Sequence, residues 1–162
     1  MKNKKLIYTV ALFFLLLDQV IKFIITKNLV LMEEIPIIKN FFSIYYLKNT
    51  GAAFSIFGNK TLFLIIISIL CLIFLKYYIK KLKRVTKLTI VSLGIMIGGI
   101  VGNLFDRIIY KSVIDYLSFS FGNYNFPVFN LADIGITIGA VLLLIDLIKE
   151  EIELKKSNSL PS

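Results

Sequence analysis

Four long apolar segments limit the fold of this 162-residue chain more than any other feature. They cover residues 6–25, 62–78, 88–109 and 131–148, and each approaches the roughly 20 residues that a helix needs to cross the hydrocarbon core of a bilayer. Because unpaired backbone polar groups are costly in lipid, such segments cross a membrane as helices. The sequence therefore predicts an all-α membrane protein with four transmembrane helices, folded as one domain over residues 1–162.

Basic residues are distributed unevenly around these segments. Twelve lysines and arginines lie before the first segment, around the connection between the second and third, and after the fourth, against five in the two longer loops, 26–61 and 110–130. Positive charge is retained on the cytoplasmic side. Both termini are therefore predicted to be cytoplasmic, and both longer loops to face outward. Topology and anionic lipid headgroups then explain the net charge of +9, and no nucleic-acid partner is predicted.

The chain has no histidine, and Cys71 is its only cysteine. The commonest general base and the usual zinc ligands are therefore missing. No G-x-S-x-G sequence occurs, and two Ser–Lys pairs near the predicted outer face have no supporting context: Ser43 with Lys48, and Lys111 with Ser112. Carboxylates are thus the groups predicted to carry any chemistry, without a metal or a cofactor.

Four aspartates lie at or near the outer ends of the apolar segments: Asp18, Asp106, Asp115 and Asp133. A carboxylate at membrane depth is costly and indicates a functional site. Asp18 and Lys22 are four residues apart and so stack on one helical face, which favours a neutralised pair that orients the helix. Asp106 beside Arg107 is open to the same structural interpretation.

Asp115 and Asp133 differ from the other two aspartates. Asp115 follows the third segment in an apolar context, and Asp133 falls at the third position of the fourth helix if Asn130 is its N-cap. A helix N-terminus favours an ionised carboxylate, whereas a drier setting favours a protonated one. Two carboxyls with separated pKa values can hydrolyse an amide, one as base on a water and one as acid. On these residues alone, Asp133 could equally be a helix-start residue.

The outer loops contain further apolar sequence. Residues 37–46 mix aromatic and β-branched side chains and predict a short strand or an interfacial segment. Residues 52–57 are apolar, with Gly51 and Gly58 as turn signals at the two ends. The aromatic residues of 116–129 are typical of a membrane-interface belt.

Three classes of function remain open on these residues. Besides an enzyme, a small transporter or proton relay could use the polar residues of the first and third segments, but no ionisable residue continues inward before Asp146. A membrane scaffold could pair through the glycines of the third segment, where Gly98 and Gly102 have small-xxx-small spacing. That alternative leaves Asn49 and Asn130 without a purpose.

Five motifs, taken together and in order, give a more specific indication. They are Asp18-Gln-x-x-Lys22, Asn49-Thr-Gly-Ala-Ala-Phe-Ser55, Gly98-Gly-x-x-Gly-Asn-x-x-Asp-Arg107, Val113-Ile-Asp-Tyr116 and Phe129-Asn-x-Ala-Asp133. In order, spacing and topology the chain resembles the bacterial lipoprotein signal peptidase family, also called signal peptidase II or prolipoprotein signal peptidase. The resemblance covers the chain from about residue 18 to residue 144.

The resemblance implies an activity and a location. It implies a metal-independent aspartic endopeptidase that removes the signal peptide from diacylglyceryl-modified prolipoproteins, on the N-terminal side of the lipidated cysteine. The enzyme would be a multi-pass protein of the bacterial cytoplasmic membrane with its active site facing outward. Its partners would be the prolipoprotein substrates and membrane lipids, and we expect a monomer.

The resemblance also assigns residues. The catalytic dyad falls on Asp115 and Asp133. Supporting or substrate-binding positions fall on Asp18, Lys22, Asn49, Gly51, Asn103, Asp106, Arg107 and Asn130. A small β-like element and a short interfacial helix are expected in the first outer loop. The chain departs from the usual family residues at Lys48, Tyr116 and Ile134-Gly135, and only the last departure puts packing near the dyad in doubt.

Overall fold

The computed structural model describes residues 2–51 and 61–158, and four helices account for most of them. They are α1 (Lys2–Asn28), α2 (Thr61–Lys81), α3 (Lys87–Tyr110) and α4 (Leu131–Asn158). All four are long and apolar enough to cross a membrane, so the predicted spans are confirmed and the chain is a multi-pass membrane protein. α4 runs past the predicted end at residue 148, and its polar last turns carry a Lys155–Glu151 ion pair of 2.7 Å.

A small antiparallel sheet lies at the end of the bundle where α1 ends and α4 begins. Its strands, in the order β1-β2-β3-β4, are Glu34–Ile38, Phe42–Asn49, Val113–Phe121 and Tyr124–Asn125. The strand predicted within 37–46 is therefore confirmed. The β-like element expected in the first outer loop is present as β1 and β2, and β3 and β4 of the second loop extend it. Residues 52–57, Gly58 and any interfacial helix formed by residues 52–60 lie outside the described residues.

The aromatic residues of the second loop are not only an interface belt. Phe119 stacks on Phe42 with ring centroids 4.8 Å apart, and on Phe129 at 5.8 Å. Phe126 meets Phe129 edge-on at 5.6 Å. These rings therefore pack the loop onto the sheet, and Phe121, although more than half exposed, meets Phe41 edge-on at 5.6 Å. The position of these aromatics at a membrane interface stays a prediction.

α3 is the central helix, and its glycines let two neighbouring helices approach closely. A Cβ at Gly98 would lie 2.6 Å from the Ala11 carbonyl oxygen of α1, and a Cβ at Gly99 would lie 2.4 Å from the Ala132 carbonyl oxygen of α4. Small residues permit such backbone contacts in membranes. The glycines of α3 thus have partners inside this chain, which removes the observation that favoured a scaffold pairing with another protein.

The ends of α3 and α4 that lie away from the sheet are joined by a polar contact. Thr86 caps α3, and its hydroxyl donates to Asp146 Oδ1 of α4 at 2.9 Å. The Thr89 hydroxyl donates to the other carboxylate oxygen at 2.5 Å. Asp146, the ionisable residue that the sequence places within the fourth span, is therefore a partner of the α3 N-cap. A proton-relay path through the spans consequently has no support.

Candidate functional site

Asp115 in β3 and Asp133 in the first turn of α4 border the same cavity. Its volume is about 560 Å³. The other lining residues are mainly apolar: Asn49, Gly51, Arg107, Val113, Phe126, Pro127, Val128, Phe129, Ile134, Ile136, Thr137 and Ile138. The structure thus brings together the two aspartates of the hypothetical dyad, which are 18 residues apart in sequence.

Backbone pairing explains why the two aspartates meet. Leu117 of β3 forms a bridge with Phe129, whose N–H donates to the Leu117 carbonyl at 3.1 Å and whose carbonyl accepts from Leu117 at 2.8 Å. Phe129 directly precedes Asn130, and α4 starts at the next residue. The bridge therefore holds the start of α4 beside the β3 segment that carries Asp115.

Asn130 contacts both carboxyl groups. Its side-chain Nδ2 donates to Asp115 Oδ1 at 2.7 Å, and its backbone N–H donates to Asp133 Oδ2 at 3.2 Å. Its Oδ1 accepts from the Asp133 N–H at 3.0 Å, which makes it the predicted N-cap of α4. Asn130 is fully buried. One residue therefore caps the helix and orients both carboxyls, that of Asp115 through its side chain and that of Asp133 through its backbone N–H.

Two further amides complete the hydrogen bonding of the carboxyl oxygens. Asn49 Nδ2 donates to Asp115 Oδ2 at 2.8 Å, and Asn103 Nδ2 donates to Asp133 Oδ1 at 2.8 Å. The Gly51 N–H donates to Asn49 Oδ1 at 3.0 Å and so orients that amide. Each of the four oxygens accepts an N–H. These hydrogen bonds hold both carboxyls in fixed positions, so that the remaining lone pairs of their oxygens face the cavity.

The environment of Asp115 favours its protonated form. Burial raises the pKa of the Asp115 carboxyl to about 7, and the negative charge of Asp133 acts in the same direction. Hydrogen bonds from Asn49 and Asn130 partly offset this rise because they stabilise the ionised form. A large fraction of Asp115 is therefore protonated at neutral pH.

A buried ion cluster lies behind the cavity. Lys22 Nζ is 2.9 Å from Asp18 Oδ2 and 2.8 Å from Asp106 Oδ2, and all three side chains are at most 1% exposed. The predicted Asp18–Lys22 pair is confirmed, with Asp106 as an additional partner. Asp106 thus pairs with Lys22 and not with its neighbour Arg107, since adjacent helical residues point in different directions.

Arg107 lies at the cavity instead. Its Nη1 donates to the Asn103 carbonyl at 3.3 Å, within its own helix. The side chain is half-buried and borders the cavity together with both aspartates. Its guanidinium therefore adds positive charge to a cavity that both aspartates line.

Sequence reasoning assigned no role to two residues of this region. Gln19 Nε2 donates to Asp106 Oδ1 at 3.0 Å and to Asp18 Oδ2 at 3.2 Å, and so bridges two carboxylates. The Tyr116 hydroxyl oxygen accepts from the Leu131 N–H at 3.1 Å, which satisfies the first amide of α4. Both residues lie within the five motifs, but Asp106 and Leu131 are 87 and 15 residues away from them in sequence, so these contacts have no local signal.

The arrangement is suited to acid–base chemistry on a substrate held against apolar walls. Two hydrogen-bonded carboxyls can divide the roles of base and acid when their pKa values differ. Within residues 2–51 and 61–158, no group of three or more acidic, histidine or cysteine side chains is placed to hold a metal ion.

Comparisons with known proteins agree with this site. A family model described as signal peptidase (SPase) II matches residues 10–149. A lipoprotein signal peptidase of Clostridium tetani is 43% identical over 138 residues, which cover 85% of this chain and 88% of the relative. The resemblance inferred from the five motifs is thereby confirmed.

Two solved structures are also similar, both of bacterial membrane enzymes determined by the in meso method. The first, at 2.3 Å resolution, has a TM-score of 0.81 and 32% sequence identity. The alignment covers 95% of this chain and 91% of the chain of that structure. The second, at 1.9 Å resolution, has a TM-score of 0.77 at 34% identity, with coverages of 87% and 91%. The chain therefore belongs to the signal peptidase II family, membrane proteases that remove signal peptides from prolipoproteins.

Proposed function

We propose that this protein is an aspartic endopeptidase whose catalytic dyad is Asp115 and Asp133, acting without a metal. Its substrate is a diacylglyceryl-modified prolipoprotein, cleaved on the N-terminal side of the lipidated cysteine. The observation that carries the assignment of the dyad is the double contact of Asn130, which hydrogen-bonds both carboxyls at one edge of the apolar cavity.

The two carboxyls take different roles because their environments differ. Asp133 lies in the first turn of α4, where the helix dipole favours negative charge, and acts as the base. Asp115, with its pKa raised to about 7 by burial, carries the proton and acts as the acid.

The reaction then balances within the dyad. Asp133 accepts a proton from a water molecule as the water oxygen bonds to the scissile carbonyl carbon. Asp115 donates its proton to the carbonyl oxygen, and the guanidinium of Arg107 stabilises the charge that develops there. As the tetrahedral intermediate collapses, the C–N bond breaks and Asp133 gives its proton to the leaving nitrogen, while Asp115 takes back a hydroxyl proton as the C=O bond re-forms, so the dyad returns to its starting state. The products are a signal peptide with a new carboxyl terminus and a lipidated cysteine with a new amino terminus.

The location of the site suits a substrate that arrives through the lipid. Both aspartates lie where β3 and the start of α4 meet, at one end of the bundle. Ile134, Thr137 and Ile138 of α4 continue the cavity wall towards the middle of the span. An acyl chain or an apolar signal-peptide helix can therefore contact this wall while the scissile bond stays near the membrane surface.

The distribution of basic residues supports an outward-facing site in the cytoplasmic membrane. The connection between α2 and α3 and the last turns of α4 are lysine-rich, on the opposite end of the bundle from the aspartates. Since positive charge is retained in the cytoplasm, the dyad end faces outward and both termini face inward. Both carboxyls and all their partners come from one chain, so we propose that a monomer is active.

A matched pair of substrates tests the proposed function. Purified protein in detergent, with EDTA present, is given one prolipoprotein with and without its diacylglyceryl group. We expect the unmodified form to be cleaved at least about 100-fold more slowly, because binding energy from the lipid is used at the reacting bond. Equal cleavage of both forms, or dependence on added metal, would contradict the proposal.

The pH dependence of cleavage provides a second test. We expect kcat/KM, which reports the groups of the free enzyme, to fall as the pH rises above about 7, because the proposed acid Asp115 holds its proton below its pKa of about 7 and loses it above. Asn49→Leu removes a donor to the ionised carboxylate but keeps the space filled, so the pKa rises and this decline moves to higher pH. The groups that still act on Asp115 are Asn130, Asp133, Lys22 and Arg107.

The matched control is Thr50→Val, an exposed neighbour of Asn49. Its profile of kcat/KM between about pH 5 and 9 should overlay that of the wild type. A decline that moves to lower pH in Asn49→Leu, or that does not exist in the wild type, would show that Asp115 is not the acid.

A further inference from the structure

The backbone amides that directly precede the two aspartates share an unusual feature. The Ile114 N–H, one residue before Asp115, donates to Asp106 Oδ2 at 3.2 Å. The Ala132 N–H, one residue before Asp133, donates to Asp18 Oδ1 at 3.1 Å. Both amides are thus held by carboxylates of the buried ion cluster, one from α3 and one from α1.

Lys22 joins these two anchoring points. Its ammonium bridges Asp18 and Asp106, whose like charges would otherwise repel each other. It also donates to Asn103 Oδ1 at 3.0 Å, and the same amide side chain donates through Nδ2 to Asp133. Lys22 is therefore linked to three groups at the site. Asp106 links it to the Ile114 N–H, and Asp18 links it to the Ala132 N–H. Asn103 links it to the Asp133 carboxyl.

Stability alone does not account for such a cluster. Burying three ionised groups carries a desolvation cost that their mutual attraction repays only with good geometry, and apolar replacements of equal volume are often as stable. In some proteins buried ionic groups select one arrangement of the fold. In this protein the two anchored segments are β3 and the first turn of α4.

We propose that Lys22 is a positioning residue for catalysis. It sets the spacing of Asp115 and Asp133 through Asp106 and Asp18, which hold the amides of Ile114 and Ala132. Lys22 is 1% exposed and does not border the cavity, so it does not touch substrate. The proposal rests on the proposed function, since that function assigns the two aspartates to the chemistry.

Two substitutions of Lys22 test the proposal in the full-length protein. Lys22→Met keeps an unbranched chain but removes the charge, and we expect kcat to fall about 100-fold with KM within about threefold of the wild type. Lys22→Arg keeps the charge on a larger head group and should give an intermediate kcat, about tenfold below the wild type.

Hydrogen exchange provides a readout that does not depend on activity. In Lys22→Met the amides of Ile114 and Ala132 should exchange faster, whereas that of Leu93 in the inner core should be unchanged. The matched control is Asp146→Asn, which alters a carboxylate at the other end of α3 and α4 and should leave both kcat and these amides unchanged.

The outcomes are distinguishable. A kcat within threefold of the wild type in Lys22→Met, or uniformly faster exchange that includes Leu93, would overturn the positioning role. If Lys22→Met does not accumulate in the membrane, the test uses Lys22→Arg. Wild-type kcat and wild-type hydrogen exchange in Lys22→Arg would then overturn the positioning role. Failure of the proposed function is separate, because it shows as full activity in Asp115→Asn while the exchange result still stands.

Discussion

Asp115→Asn and Asp133→Asn are each expected to reduce kcat by at least about 10³-fold, with little change in the amount of folded protein in the membrane. An amide can neither accept the proton of the attacking water nor protonate the substrate carbonyl. Asparagine has nearly the same shape as aspartate, so the cavity keeps its packing. Each variant disturbs one hydrogen bond to a neighbouring amide, with a cost of about 1 kcal/mol in the free energy of unfolding.

Steady-state cleavage of a lipidated substrate measures this prediction, with the thermal unfolding midpoint as a check on folding. Asp146→Asn is the matched control, because it replaces another partly buried aspartate of α4, one that accepts hydrogen bonds from Thr86 and Thr89 at the other end of the helix. Residual activity above about a tenth of the wild type in either dyad variant would mean that the residue is structural.

Gly99→Ala is expected to have the second-largest effect, although it adds one methyl group. The new Cβ would lie 2.4 Å from the Ala132 carbonyl oxygen and 3.1 Å from Ile136 Cγ1, so α4 must move away from α3. Asp133 follows Ala132 directly and moves with it. We expect kcat to fall about 100-fold, because a displacement near 1 Å at a catalytic group has this consequence. Overpacking should also lower the free energy of unfolding by about 1–3 kcal/mol.

Val91→Leu adds a methylene group to the same helix where the side chain is 43% exposed towards lipid, and it should leave kcat and stability unchanged. Single-turnover cleavage and thermal unfolding of both variants provide the comparison. Wild-type kcat in Gly99→Ala would mean that the close approach of α3 and α4 does not position Asp133.

Structural features that depend on residues close together in the sequence could be predicted correctly. The four spans follow from hydropathy, and the small-xxx-small spacing of Gly98 and Gly102 correctly indicated a close helix contact. The Asp18–Lys22 pair and the N-cap role of Asn130 depend on neighbours within four residues. In each case the interacting groups are fixed by helix geometry alone, so the sequence contains the whole signal.

Interactions between distant segments could not be predicted in the same way. Asp106 pairs with Lys22 across two helices, and Asn103 reaches Asp133 from another element, which only the folded chain determines. β3 is a different case, because Leu117, Phe119 and Phe121 alternate with serines at the two-residue period of a strand. Interpreting these aromatics as a membrane belt obscured that signal.

In the proposed mechanism, the carboxyls of Asp115 and Asp133 together hydrolyse one peptide bond of a lipidated substrate. The most direct test of this mechanism is mass spectrometry of the products formed from a diacylglyceryl-modified prolipoprotein by the wild type, Asp115→Asn and Asp133→Asn in EDTA. We predict that the wild type alone releases a signal peptide ending at the residue before the lipidated cysteine. The same cut by either variant, or a wild-type cut at a different bond, would contradict the assignment.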